Sequence, residues 1–238
     1  MTERLDSRAL RHTDTYGQRF MRPGTYRYAI APAGLPWRDH DFPYAVHVTE
    51  RGEPRREGDD MQQVDVSITS YCEGLPPDQH EVTITEGDLV LWHSPDATDS
   101  ACAVVGEKGF FGNDPMTNEC GYSHVFTTPG EHHWRDANGS GLSGVVRVID
   151  PEVESKRAFG AWQRQLREGT LVLIHDGKVE PAEVEIVLGQ TVFFAIVTSE
   201  GVTVTADEIL EPSKVKDVLI EPTSRLKHLA GASFFRPA

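Results

Sequence analysis

Residues 122–148, YSHVFTTPGEHHWRDANGSGLSGVVRV, read as three short strands punctuated by two turns. Pro129-Gly130 ends the first run, and the glycine- and serine-rich GSGLSG (139–144) ends the second. Side chains alternate between the two faces of a strand, so His132, Trp134 and Asp136 share one face, and His133 and Arg135 share the other. A histidine that shares a face with a tryptophan is expected to be a core residue rather than a ligand.

Outward from this stretch, nearly every segment has the same period of two. VDVSITS (64–70), HEVTITEGDLVLW (80–92), TLVLIHD (170–176), AEVEIVLGQTVFFAIV (182–197) and GVTVTAD (201–207) are rich in Val, Ile and Thr and bounded by Gly, Pro or Asp. The exception is 151–169. There Val153, Phe159, Trp162 and Leu166 fall at helical spacing, predicting a helical linker over 151–167. The chain is expected to be all-β.

An internal repeat is also visible. Residues 168–210 resemble 63–105, with Gly87, Val90 and Trp92 matched by Gly189, Val192 and Phe194. YGQRFMRPGTYRYAI (16–30), followed by FPYAVHVTE (42–50), matches YSHVFTTPGEHHWRD (122–136) followed by GVVRVID (144–150). The expectation is a continuous unit over 58–150. A second unit would be assembled from 1–57 and 168–238, closed within the chain or by a domain swap with a neighbouring copy.

Composition narrows the function classes. With 37 acidic against 23 basic residues the formal net charge is −14, and a basic stripe for nucleic acid is missing. Such acid-rich, lysine-poor sequence suits a protein of high-salt surroundings and, equally, an ordinary acidic cytosolic protein. No run of eighteen apolar residues offers a membrane span, and the N-terminal stretch lacks the apolar region of a secretion signal. The expected location is the cytoplasm or the interior of an assembly. Cys72, Cys102 and Cys120 form no CxxC pair and are expected to be buried free thiols. No GxGxxG, Walker or HExxH pattern occurs, and GSGLSG lacks the context of a nucleophile elbow.

GDLVLWHSPDATDSACAVVG (87–106), the frame F-x-x-P-G at 126–130, and GVVRV at 144–148 together resemble the metal-binding half of the cupredoxins, the blue-copper family. The resemblance implies Greek-key β-sandwiches. The Gly130–Gly144 spacing matches the family, so positions carry over singly. Asp136 stands where the family has its cysteine, Gly139 where it has the second histidine, and Leu142 where it has the axial methionine. The first histidine falls near Ser100 or Ala101, and Ile30 holds the cysteine position of the N-terminal hairpin. A blue-copper centre needs two imidazoles, a thiolate and a weak axial ligand.

The resulting expectation is a non-enzymatic, copper-free structural or accessory subunit with a protein partner or self-association. No cofactor, nucleic acid or membrane insertion is expected. The arginines Arg22, Arg27, Arg38, Arg51, Arg55 and Arg56 suit pairing with an acidic partner surface. The alternative is a redox or metal-handling protein with a rebuilt copper or zinc site. It would draw on His93, Cys102, Cys120, His124, His132 and His133, because imidazole and thiolate suit both metals. A third reading is a small-molecule or cation module using loop 93–100, with Asp96 and Asp99, and loop 136–143.

Overall fold

The computed structural model describes residues 4–12, 14–34, 41–52, 61–69, 74–94, 101–151 and 153–211. The first strands are β1 (Asp14–Arg19), β2 (Gly24–Pro32), β3 (Tyr44–Thr49), β4 (Gln63–Ser67), β5 (Glu81–Thr85), β6 (Leu89–His93) and β7 (Cys102–Gly106). Next come β8 (Cys120–Val125), β9 (Gly130–Asp136), β10 (Ser143–Ile149) and helix α1 (Lys156–Gln165). The remaining elements are β11 (Thr170–His175), β12 (Lys178–Glu180), β13 (Glu183–Val187), β14 (Thr191–Val197), β15 (Val204–Ala206) and the one-turn α2 (Asp207–Leu210). The protein is all-β in architecture, and no helix among the described residues is long and apolar enough to cross a membrane.

One seven-stranded sheet has the order β12-β11-β14-β8-β1-β6-β4, and two four-stranded sheets have the orders β13-β10-β9-β15 and β5-β3-β2-β7. The strand order repeats. Each small sheet holds a hairpin (β2/β3, β9/β10) with a parallel partner on one side (β5, β13) and an antiparallel partner on the other (β7, β15).

This pairing corrects the expected interleaving of 1–57 with 168–238 around a 58–150 unit. Among the described residues β2 and β3 pair with β5 and β7, within the first half of the chain, and β9 and β10 pair with β13 and β15. β1 lies between β6 and β8, which separates strands assigned to one unit. A tandem repeat can be cut at two places that leave the same sequence matches, and only long-range pairing chooses between them. Residues 212–238 of the expected second unit lie outside the described residues.

The inward faces explain why each half closes. In the first, Trp92 stacks on Tyr16 with centroids 5.5 Å apart and on Phe111 at 5.7 Å, and meets Tyr28 edge-on at 5.4 Å. In the second, Trp134 meets Phe194 edge-on at 5.3 Å, and Phe194 stacks on Tyr122 at 6.1 Å. Burying a side chain of this size contributes about 1.5–3 kcal/mol. Matching turns lead into β6 and β14. Gly87 and Gly189 take φ of 87° and 85°, which favours glycine. The next residue then accepts the preceding strand's last amide: Asp88 Oδ2 from Thr85 N–H at 3.1 Å, Gln190 Oε1 from Val187 N–H at 3.1 Å.

Helix α1 interrupts the second half. Ser155 caps it, its hydroxyl accepting from Ala158 N–H at 3.1 Å. Trp162 Nε1–H donates to the Leu188 carbonyl at 3.0 Å and fixes the helix to the β13–β14 turn.

The halves join where β1 and β8 run antiparallel, Tyr16 opposite Tyr122 and Gly17 opposite Gly121. Two straps cross between them in matching fashion. The N-terminal strap bridges β15 at Asp6–Thr205 and then β7 at Leu10–Cys102. The central strap bridges β7 at Gly112–Val105 and then the approach to β15 at Met116–Val202. Asn113 staples the straps together: Nδ2–H donates to the Ser7 carbonyl at 2.6 Å, and Oδ1 accepts Val104 N–H at 2.7 Å.

Candidate functional site

Asp136 ends β9 in a buried position, where its carboxylate organises two loops. Oδ1 accepts Thr203 N–H at 2.7 Å and Asn138 N–H at 3.2 Å, and Oδ2 accepts Ser140 N–H at 3.2 Å. Burial opposes its charge, but the hydrogen bonds from Ser140, Thr203 and Asn138 outweigh that and hold its pKa below the ordinary value. Gly139, at φ 81°, lies at the open tip of this loop, and Leu142 is buried beneath it. Ile30 is a core residue of the first half. Ser100 lies outside the described residues, as do Asp96, Asp99, Cys72, Arg38, Arg55 and Arg56.

The six residues of the rebuilt-site reading are spread over four strands and engaged separately. His124 is buried in β8 and donates from Nδ1 to Asp14 Oδ1 at 2.6 Å. Asp14 Oδ1 also accepts the Tyr122 hydroxyl at 2.7 Å, and Oδ2 accepts Arg11 N–H at 2.9 Å. Burial first, and then the Asp14 carboxylate, push the Tyr122 phenol well above its ordinary pKa. Cys120 sits in register with Gln18 across the seam, and burial pushes its thiol up to about 12. Cys102 is buried at the start of β7, with Sγ 3.8 Å from the Leu10 carbonyl. His132 donates from Nε2 to the Thr128 carbonyl at 2.8 Å, and exposed His133 lies 3.7 Å from Glu131. His93, on β6, lies 3.5 Å from Ser67 Oγ. Among the described residues no group of three or more His, Cys, Asp or Glu side chains converges as a metal site would.

The Asp14–Tyr122–His124 network has a counterpart that the sequence reading missed. Across the seam Tyr16 donates to Gln18 Oε1 at 2.8 Å and accepts Gly112 N–H at 3.1 Å. Tyr16 and Gln18 thus occupy in β1 the places of Tyr122 and His124 in β8. The repeat alignment held the signal, but Asp14 and His124 lie too far apart in sequence for any local pattern.

The outer face of the seven-stranded sheet is the second feature. On β14, Val192, Phe194 and Ile196 are fully buried, while Phe193 and Val197 point the other way and are each 48% exposed. Leu171 on β11 is 57% exposed beside Phe193. The next row across the sheet runs Leu173, Ala195, Gly121, Gly17 and Leu91. These five central positions carry no charge, and the row ends on carboxylates, Glu180 on β12 beside Leu173 and Asp65 on β4 beside Leu91. A Cβ on Gly17 would lie 2.6 Å from Leu91 Cδ2, so Leu91 folds over it, whereas above Gly121 no side chain lies within 4 Å. The face therefore has an apolar ridge at Leu171 and Phe193 beside a shallow hollow at Gly121.

No family model, curated protein or solved structure matches this chain.

Proposed function

We propose that the chain is a non-enzymatic, cupredoxin-like structural subunit, and that it assembles with a second copy of itself through the outer face of the seven-stranded sheet. The observation that carries this reading is the exposure of Leu171, Phe193 and Val197 together on one face of the sheet. The cupredoxin resemblance fits the two matching hairpins, in which Phe20 and Phe126 are both buried ahead of their Pro-Gly turns. The position of the family's cysteine then belongs to Asp136, whose hydrogen bonds hold a loop in place of a metal.

Charge argues for a second copy as the occupant. Two chains of formal charge −14 repel, and the uncharged centre of the row through Gly121, between Glu180 and Asp65 at its ends, is where they can meet without placing carboxylate on carboxylate. Ridge beside hollow on one face is also what a two-fold interface requires, since each patch must complement itself. Burying the remaining exposed area of three such side chains per copy supplies roughly 6 kcal/mol per pair. After ordering costs, this corresponds to weak, reversible association that strengthens as salt screens the charge.

Sedimentation equilibrium at low and molar salt tests the reading, alongside elemental analysis after copper and zinc loading and desalting. A dimer favoured by salt, and lost in Phe193→Ser with the fold retained, is expected. A monomer at every concentration and salt overturns the assembly reading. Stoichiometric copper with a thiolate charge-transfer band overturns the structural role in favour of a redox one.

A further inference from the structure

Between the two straps and β7 lies a cleft of about 820 Å³. Part of its wall is made of small residues, among them Ala33, Gly34, Ala103 and Gly106. The matching corner of the second half is filled. There Ala137 N–H donates to the Thr203 carbonyl, as Ala33 N–H does to the Ala101 carbonyl. The next residue, Asn138, sends Nδ2–H to the Gly201 carbonyl at 3.2 Å and to Thr203 Oγ1 at 3.0 Å. In the first half the next residue is Gly34, where a Cβ would meet nothing within 4 Å. With no side chain at Gly34, this corner of the cleft stays open.

Four charged residues line it: Asp6, Arg8, Arg11 and Asp114. Arg8 and Asp6 neutralise each other in a two-pronged pair, Nε to Oδ1 at 2.8 Å and Nη2 to Oδ2 at 3.1 Å. Arg11 is held in place by other means. Its amide donates to Asp14 Oδ2 at 2.9 Å, and Nη1–H to the Ala9 carbonyl at 3.2 Å. Among the described residues the half-buried arginines Arg8, Arg19 and Arg51 each have a carboxylate within ion-pair distance, and Arg11 alone has none. A guanidinium stays charged at any working pH and presents a planar fork that matches an oxyanion. In a chain with so many carboxylates, a half-buried arginine that lines a cleft with no carboxylate within ion-pair distance has its charge available to an anion.

We propose that this cleft binds a small monocarboxylate, its head group held by the Arg11 guanidinium and its apolar remainder lying against Ala33, Ala103 and Phe111. The volume suits a small organic ligand. Asp114, on the central strap, puts a negative charge on the same cleft, its Oδ1 accepting the Thr203 hydroxyl at 3.4 Å. A singly charged carboxylate is therefore favoured over a doubly charged phosphate.

The test is an amide-resolved NMR titration of the full chain with sodium butyrate, inorganic phosphate or chloride at constant ionic strength, following Ala103, Gly106 and Gly112. Butyrate is expected to give saturable shifts, with phosphate weaker in the natural protein and stronger in Asp114→Asn. Loss of a charge-assisted pair predicts binding roughly tenfold weaker or more in Arg11→Gln. That variant keeps both backbone anchors, so its amide spectrum should otherwise be unchanged. Arg27→Gln, on the exposed end of β2, should bind as the natural protein does. Equal binding by Arg11→Gln, shifts that grow linearly with any salt, or phosphate preferred over butyrate would each overturn the proposal.

Discussion

Asp14→Ala is expected to have a large effect on this fold. The Asp14 carboxylate is buried and accepts three hydrogen bonds: His124 Nδ1–H at 2.6 Å, the Tyr122 hydroxyl at 2.7 Å and Arg11 N–H at 2.9 Å. Removing it orphans all three donors, of which the two side chains are buried and Arg11 N–H lies at the strap. A buried donor without a partner costs about 1–3 kcal/mol, and the three are not additive, so a loss of about 4 kcal/mol is expected. That is a large part of the roughly 5–15 kcal/mol that holds a typical domain. Asp14→Asn keeps one acceptor but turns an amide toward donors, and should lose about half as much. His124→Gln should cost least, about 1 kcal/mol, because Gln18 already partners Tyr16 in the matching place. Urea unfolding followed by tryptophan fluorescence and circular dichroism gives the comparison, provided the two transitions coincide. A loss under about 1 kcal/mol for Asp14→Ala would falsify the claim that this network is closed off from water.

Three further outcomes follow from the same geometry. Asp136, with its pKa lowered, contributes stability that is full above the ordinary carboxylate range and lost as pH falls through the folded value. Asp136→Asn should accordingly flatten the acid limb of a stability–pH curve, and an unchanged limb would refute the role assigned to its hydrogen bonds. Cys120, its thiol pushed up to about 12, should resist alkylation by iodoacetamide at pH 8 and react only once denaturant is added; labelling of the folded protein at this site, read by peptide mass spectrometry, would count against its burial. Gly144→Ala should destabilise by roughly 1–3 kcal/mol in urea, since its Cβ would lie 2.6 Å from the Ala182 carbonyl and 2.8 Å from Trp134 Nε1; a neutral result would mean that β10 sits further from Trp134 than described.

The all-β architecture was legible because period-two patterning reports burial on one face, and Trp92, Trp134 and Phe194 sit in just such registers. The correspondence of Gly87 with Gly189 was legible too, as a turn needing left-handed backbone looks the same in both copies. Where to divide the copies was not. β1 can extend a sheet on either edge by its own pattern, and the choice rests on its pairing with both β6 and β8. Site chemistry was less visible still. Asp136 reads as a lost ligand in the aligned frame, but its work as an acceptor for Thr203 depends on a partner far along the chain. Arg11 carries no sequence signal at all, because what marks it is the missing carboxylate beside it.

The straps set an order of events at the ribosome. Asp6 bridges Thr205, Ser7 N–H donates to the Val204 carbonyl, and Ala206 N–H donates to the Leu5 carbonyl. Residues 5–7 are thus seated only after β15 has been made, with almost the whole described chain between them. The emerging first half must wait with that segment lacking its β15 partners, and β15 acts as the latch for both halves. Ribosome-bound chains stopped ahead of Val204 should therefore be cut by protease near residues 5–7, and released chains that include β15 should not.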